Sequence, residues 1–263
     1  MSLAKKHRQL QDFLKKEGKA IVAFSGGVDS TLLVKTAHDT LGKNAIAVTL
    51  DSATIPCEEL KHAKKIARKI GIKHLVIKHN EFKNKNFVAN PKNRCYFCKK
   101  ELAKVLKKIA KKYKTKTILE GTNASDLKGH RPGALALKED GVISPLAFFG
   151  ITKNDVRNLS KKLGLETAEK PSMACLASRV PYGEKITREK LKRIELAEDF
   201  IRKFGIKQLR VRIHGETARI EVLPNDFNLI IKNKKIINKK LYALGFKYIT
   251  LDLNGYKTGS MNR

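Results

Sequence analysis

A chain of 263 residues, 41% of them apolar, can bury a substantial core as one large domain or two smaller ones. No run approaches the roughly 20 apolar residues of a membrane span, and Met1 to Lys6 lack an apolar signal-peptide core, so a soluble, cytoplasmic protein is expected. The 56 Lys and Arg against 25 Asp and Glu leave a formal charge of +31, which invites a polyanionic partner such as tRNA and supports a small anionic substrate equally.

In chain order, Leu10, Phe13 and Leu14 among charges read as a short amphipathic helix over 4–17. The apolar run Ala20-Ile21-Val22-Ala23-Phe24 reads as a strand, Ser25-Gly26-Gly27-Val28-Asp29-Ser30 as a tight turn, and Asp29 to Leu41 as a helix stopped by Gly42. Such a strand-turn-helix junction is an anion cradle, because freed backbone N–H groups and the helix dipole favour negative charge, aided here by the Ser25 and Ser30 hydroxyls. The spacing fits neither the Walker A pattern nor the dinucleotide fingerprint. It resembles the PP-loop, SGGxDS, of the ATP pyrophosphatase superfamily, whose members cleave ATP to AMP and pyrophosphate with the loop holding the pyrophosphate. The plain alternative is an ordinary glycine turn after a buried strand.

Ala45 to Leu50 has the apolar continuity of a doubly covered parallel strand and ends at Asp51-Ser52, where a doubly wound sheet places ligand contacts. Ser52 and Asp51 are candidates for the adenosine pocket, with helix capping the alternative for Asp51. Helical spacing follows from Glu58 to Ile70, then a third strand at Leu75-Val76-Ile77. Residues 81–93 read as a loop delivering Arg94-Cys95-Tyr96-Phe97-Cys98 to another helix, and Thr117 to Glu120 as a fourth strand ending in Gly121 and Thr122, further candidates for the nucleotide pocket. The alternation predicts an α/β fold with a doubly wound parallel sheet.

Gly129 to Gly150, containing His130-Arg131-Pro132-Gly133, reads as a mobile loop over the site with a short strand or two, followed by a helix from Lys153 to Leu163. Lys170 to Cys175 and Pro181-Tyr182-Gly183 mark a seam. The expected organisation is an ATP-binding domain at 1–170, a linker at 171–186 carrying Cys175, and a smaller α+β domain at 187–263 for substrate binding or oligomerisation. In the last, a helix with Leu191, Ile194, Ala197 and Ile201 on one face precedes two strands, 209–213 and 218–222, around a tight turn; a helical region and a stretch at 248–253 complete it. The lysines fall in short dispersed runs and Trp is absent, the pattern of solvated helix faces more than of a base-stacking surface.

Four cysteines without a secretory signal point to metal or redox chemistry before disulfides. Cys95 and Cys98, at CxxC spacing, can hold one metal, and Cys175 is a candidate third ligand or a small buried hydrophobe. Three thiolates suit a [4Fe-4S] cluster with one open iron; with Cys57 the same set would suit closed structural zinc, although Cys57 reads as an incidental thiol. Arg210 and Arg212 share a strand face, either as a pair for a phosphate or carboxylate or as an exposed basic face.

Taken together, the PP-loop, Arg94 to Leu102, Pro171 to Gly183, Leu209 to Arg212 and Gly245 to Tyr248 resemble the LarE family of ATP-dependent sulfur transferases over nearly the whole chain. The resemblance implies adenylation of a carboxylate of pyridinium-3,5-biscarboxylic acid mononucleotide by ATP with Mg2+, release of pyrophosphate, and replacement of AMP by sulfur in nickel-pincer nucleotide biosynthesis. It implies Ser25, Gly26, Gly27, Asp29, Ser30, Ser52, Gly121, Thr122 and Arg131 as nucleotide-binding residues, and Asp29, Cys175, Arg210 and Arg212 as catalytic or substrate-holding ones. One branch sacrifices the cysteine matching Cys175 and lacks the CxxC pair; this chain resembles the branch in which Cys95, Cys98 and Cys175 hold [4Fe-4S] and sulfide or a sulfur-donor protein supplies sulfur. A homo-oligomer is implied. The rivals are a PP-loop tRNA thiolation enzyme, favoured by charge alone, and a zinc-stabilised, ammonia-using amidotransferase or synthetase.

Overall fold

The computed structural model describes residues 1–127, 131–171 and 174–257. In chain order it contains α1 (Leu3–Glu17), β1 (Ala20–Ala23), α2 (Val28–Leu41), β2 (Ala45–Asp51), α3 (Cys57–Ile70), β3 (Lys73–Lys78), α4 (Lys85–Val88), α5 (Arg94–Lys112), β4 (Ile118–Leu119), α6 (Pro132–Glu139), α7 (Pro145–Phe148), α8 (Lys153–Lys162), α9 (Arg188–Arg202), β5 (Leu209–His214), β6 (Thr217–Val222), α10 (Phe227–Lys232), α11 (Lys234–Ala243) and β7 (Tyr248–Leu251). They form two compact units, Met1–Glu81 with Asn93–Met173, and Phe82–Lys92 with Ala174–Arg263.

The first unit is a parallel sheet in the order β3-β2-β1-β4, with helices on both faces. Side-chain alternation sorts the core. Ala20, Val22, Ala45 and Ala47 face α1, α2, α3 and α8 through Leu10, Leu32, Ile66 and Val156. Ile21, Ile46 and Val48 face α5 and α6 through Ala103, Leu106 and Leu137. Strands covered on both sides need apolar residues at every position, which explains the unbroken runs at Ala20 and Ala45. The doubly wound expectation is met, and the strand order reverses between β1 and β4, so a crevice opens beyond their carboxyl ends.

Two stretches differ from the loop expectation. Between 129 and 150 the chain forms α6 and α7, and Ile143 makes a single parallel bridge to Leu119. Pro132 and Pro145 occupy first-turn positions, where a proline initiates a helix, and Ala136 and Leu137 are buried. Gly129 and His130 of the expected loop lie outside the described residues, as do Ser172 and Met173 of the expected seam. Residues 81–93 are not plain loop either: Asn84 caps α4 through its side-chain oxygen and buries Phe87.

The second unit is a three-stranded sheet in the order β5-β6-β7, with β5 antiparallel and β7 parallel to β6. Helix α9 packs against β5 through Leu191, Ile194, Ala197 and Ile201. Asn90, fully buried in a left-handed conformation, donates its side-chain amide to the carbonyls of Val180 (3.3 Å), Pro181 (2.6 Å) and Glu184 (3.0 Å), which ties 82–92 into this unit.

Candidate active site

The glycine turn is built as an anion cradle. Gly27 is the N-cap of α2, so the amides of Val28, Asp29 and Ser30 have no acceptor within the helix. Ser30 Oγ donates to the Gly27 carbonyl (3.2 Å), accepts from the Ser25 amide (3.2 Å) and lies 3.0 Å from Ser25 Oγ, closing the turn into a ring. Gly26 has φ +72°, and a Cβ there would lie 3.1 Å from Ala63 Cα and Cβ on α3. Both the dihedral and the close approach demand glycine. Gly121 is equally constrained: a Cβ would lie 2.9 Å from the Ser30 nitrogen, so the end of β4 abuts the start of α2.

Asp29 sits at the centre of a polar network from four segments. Its carboxylate accepts from Asn123 Nδ2 (2.9 Å) and pairs with Lys153 Nζ (2.5 Å). Asn123, fully buried, also donates to Asp126 (2.7 Å), and Asp126 accepts from the exposed Arg131 (2.6 Å). Lys153 is the first residue of α8, whose Thr152–Asp155 capping box fixes that helix start. Beneath them, buried Glu120 accepts from the Thr122 amide (3.0 Å) and hydroxyl (2.9 Å) and from Ser144.

On the other side of the turn, Lys170 Nζ donates to the Gly26 carbonyl (3.2 Å) and to Glu59 Oε2 (2.8 Å). Burial, together with the charges of Lys170 and Lys65 and against that of Glu59, lowers the pKa of His62 from its ordinary value. Ser52, at the end of β2, is held by its hydroxyl contact with Thr54 (2.7 Å). The structure thus gathers Ser25, Gly26, Gly27, Asp29, Ser30, Gly121 and Thr122 at the carboxyl ends of β1 and β4, with Arg131 joined to them through Asp126.

Cys95 lies in the first turn of α5 and Cys98 one turn further on, the former exposed and the latter half-buried. A Cβ at Gly133 would stand 3.7 Å from Cys95 Cβ and 3.1 Å from Lys99 Cγ, so the bare glycine keeps space beside that thiol. Cys57 opens α3, and Cys175, in the second unit, is an exposed thiol before the tight turn Leu176–Arg179. Among the described residues of either unit, no three His, Cys, Asp or Glu side chains gather as a metal site.

Arg210 and Arg212 are buried, which removes the exposed-face alternative. Arg212 donates Nε to Glu221 (2.6 Å) and Nη1 to the Ser178 carbonyl (2.8 Å). Arg210 donates to the Leu209 carbonyl (2.6 Å) and stacks over Tyr256. Burial first, then the Arg179 charge, lowers the Arg210 pKa from its ordinary value. Arg179 in turn donates to the carbonyls of Ala174 (2.6 Å) and Cys175 (2.9 Å), so the same cation cluster fixes the backbone at the thiol.

Sequence reading missed Lys153, Asn123, Asp126, Glu120, Lys170, Glu59, Arg179 and Glu198. Only Lys153 carried a local signal, the Thr-x-x-Asp capping pattern that places it at a helix start; the others depend on pairings distant in sequence.

Comparison with known proteins bears on this geometry. The family model described as queuosine biosynthesis protein QueC matches residues 19–90, which hold the glycine turn. An uncharacterised protein of Synechocystis is 44% identical over 99% of this chain and 98% of its own length. The pyridinium-3,5-bisthiocarboxylic acid mononucleotide synthase of Lactiplantibacillus plantarum is 34% identical over 99% of this chain and 95% of its own. An uncharacterised protein of Methanocaldococcus jannaschii is 33% identical over 98% and 100%.

Proposed function

Because the chain belongs to the LarE family of pyridinium-3,5-bisthiocarboxylic acid mononucleotide synthases, we propose that it is an ATP-dependent sulfur transferase acting on pyridinium-3,5-biscarboxylic acid mononucleotide. The observation that carries this reading is the cradle of Ser25 to Ser30 within a chain aligned end to end with such a synthase. Adenylation joins a substrate carboxylate oxygen to the α-phosphorus of ATP as the bond to the β-phosphate breaks. A sulfur nucleophile then adds to the acyl carbon, and AMP leaves with the original carboxylate oxygen. Activation is needed because an oxide is a poor leaving group and a phosphate ester a good one.

The chain's residues divide this work. The amides from Gly27 to Ser30 and the Ser25 and Ser30 hydroxyls take the charge of departing pyrophosphate. Asp29 would hold Mg2+, which would supply positive charge to the phosphates, and Lys153, paired with Asp29 at 2.5 Å, is the cation beside that carboxylate that would meet the developing pyrophosphate charge. Thr122, Gly121 and Ser52 line the adenosine, and Arg131 reaches the phosphates from Asp126. Arg210 and Arg212, held in a buried cluster, take the phosphate of the mononucleotide.

Cys95, Cys98 and Cys175 are the ligand set for a [4Fe-4S] cluster. Cys95 lies in the first turn of α5 with Cys98 one turn on, and the bare Gly133 leaves room beside Cys95, which supports this pair as two of the ligands. When bound, such a cluster supplies an open iron that can carry sulfide. Cys175 is then retained and not consumed. The decisive assay combines the full chain, ATP with Mg2+, the dicarboxylic mononucleotide and sulfide, and follows AMP, pyrophosphate and product mass. A product in which sulfur replaces oxygen, formed together with AMP, is expected. Amide formation from ammonia, or pyrophosphate release without thiocarboxylate, overturns the reading.

A further inference from the structure

The Lys170 contact has a consequence for the loop itself. The carbonyl and N–H of one peptide unit point in opposite directions. Lys170 Nζ holds the Gly26 carbonyl at 3.2 Å, on the side of α3, so the amide of Gly27 in the same peptide is turned away from α3. Among the described residues that amide meets Ser25 Oγ, at a weak 3.4 Å, which leaves it available to a ligand. A Gly-Gly peptide has little intrinsic preference between its two faces, because neither residue carries a Cβ to bias the dihedrals. The flipped orientation would aim a carbonyl dipole into the cradle and repel phosphate.

We infer that Lys170 is a positioning residue for pyrophosphate: by gripping the Gly26 carbonyl it selects the peptide orientation that presents the Gly27 N–H to the anion. The inference rests on the reading of Ser25 to Ser30 as a pyrophosphate cradle. The grip is itself anchored. Glu59 takes the same ammonium at 2.8 Å, the Lys170 amide donates to the Thr167 carbonyl at 3.0 Å, and Arg157 from α8 donates to the Lys170 carbonyl at 3.2 Å. Glu59 and Ala63 stand one turn apart on α3, so the helix offers the loop a carboxylate to hold the lysine and a small side chain against which Gly26 packs. The Lys170 side chain is 15% exposed, and its ammonium is committed to the backbone and Glu59.

The test is calorimetric titration of pyrophosphate with Mg2+ into the full chain and its Lys170→Met, Lys170→Arg and Glu59→Gln variants. Loss of one charged hydrogen bond predicts weakening by about tenfold or more in Lys170→Met. Lys170→Arg, which can still donate to the carbonyl, is expected to recover most of the affinity, and Glu59→Gln to weaken binding by a factor of about two to five. Unchanged affinity in Lys170→Met overturns the inference, and so does tighter binding in Glu59→Gln, because that sign means a freed lysine contacts the anion directly. If Lys170→Met does not fold, the Arg and Gln variants decide by the same signs. Failure of the unaltered chain to bind pyrophosphate overturns the cradle reading and, with it, this inference; binding that is indifferent to Lys170 overturns this inference alone.

Discussion

Arg179 and Glu198 form an ion pair from which solvent is wholly excluded: Nε meets Oε1 at 2.9 Å, Nη2 meets Oε2 at 3.1 Å, and both side chains are 0% exposed. Glu198 also accepts from Arg202 (2.7 Å) and from the amide of Val211 (3.0 Å) on β5, an edge strand of its sheet. One carboxylate thus neutralises the cation that fixes the backbone at Cys175 and satisfies a sheet edge. Glu198→Gln leaves a buried guanidinium uncompensated and is expected to cost about 3 to 5 kcal/mol of stability, measured by urea unfolding. A loss below about 1 kcal/mol would show that water or rearrangement meets the need.

The same pair sets an acid limit. Burial by itself raises the pKa of Glu198, but the charge and hydrogen bonds of Arg179, with Arg202 and the Val211 amide, more than offset it and hold the group below its ordinary 4.5. A depressed folded-state pKa contributes stability that is complete above the unfolded value and vanishes as pH falls through the folded one. The difference in unfolding free energy between the unaltered chain and Glu198→Gln is therefore expected to stay flat above about pH 5 and to shrink on further acidification. A difference that grows with acid contradicts the assignment.

Gly26 and Gly27 look alike in sequence but differ in consequence. Gly26→Ala places a Cβ at φ +72° and 3.1 Å from Ala63, with an expected cost of about 1 to 3 kcal/mol and loss of ATP binding. Gly27 has φ −79°, and among the described residues its added Cβ would meet only Ser25 Oγ at 3.4 Å. Gly27→Ala should melt within a few degrees of the unaltered chain. Thermal scans of both variants check the contrast.

Lys153 is expected to act on rate more than on folding. It is partly exposed and pairs with Asp29 at 2.5 Å, so Lys153→Met leaves the capping box of α8 intact. Removal of one cation from developing pyrophosphate charge predicts a fall of about a hundredfold in pyrophosphate release. A fall of less than threefold under saturating ATP excludes that role.

For the cysteines, anaerobic reconstitution with iron and sulfide is expected to give broad visible absorption in the unaltered chain and in Cys57→Ser, and to lose it in Cys95→Ser, Cys98→Ser and Cys175→Ser. Repeated turnover with intact Cys175 is the accompanying kinetic sign. A single turnover that leaves dehydroalanine at position 175 refutes retention of the thiol.

What the sequence reveals follows the range of the forces involved. The strand, glycine turn and helix from Ala20 to Leu41 are specified by neighbours, so both the fold class and the cradle are legible there. Period two correctly puts Arg210 and Arg212 on one face of β5, but that β5 is buried on both faces depends on α9 and on Glu221 across the hairpin. Pro132 and Pro145 are ambiguous by themselves, since proline punctuates loops and begins helices alike, and the burial of Leu137 and Leu146 decides. Lys170 is illegible because its partners, Gly26 and Glu59, lie 144 and 111 residues away.

The tie between Asn90 and Val180 also sets a clock on the ribosome. These residues are 90 positions apart, and a chain growing at 5 to 20 residues per second waits roughly 5 to 18 s between them. Phe87 and Asn90 are buried in the finished protein, and the segment carrying them clusters with chain that is made only from Ala174 onward. The first unit needs chain only as far as Met173, whereas the segment at 82–92, made before half of that unit, waits for residues from Ala174 onward and stays open to chaperones and proteases in between.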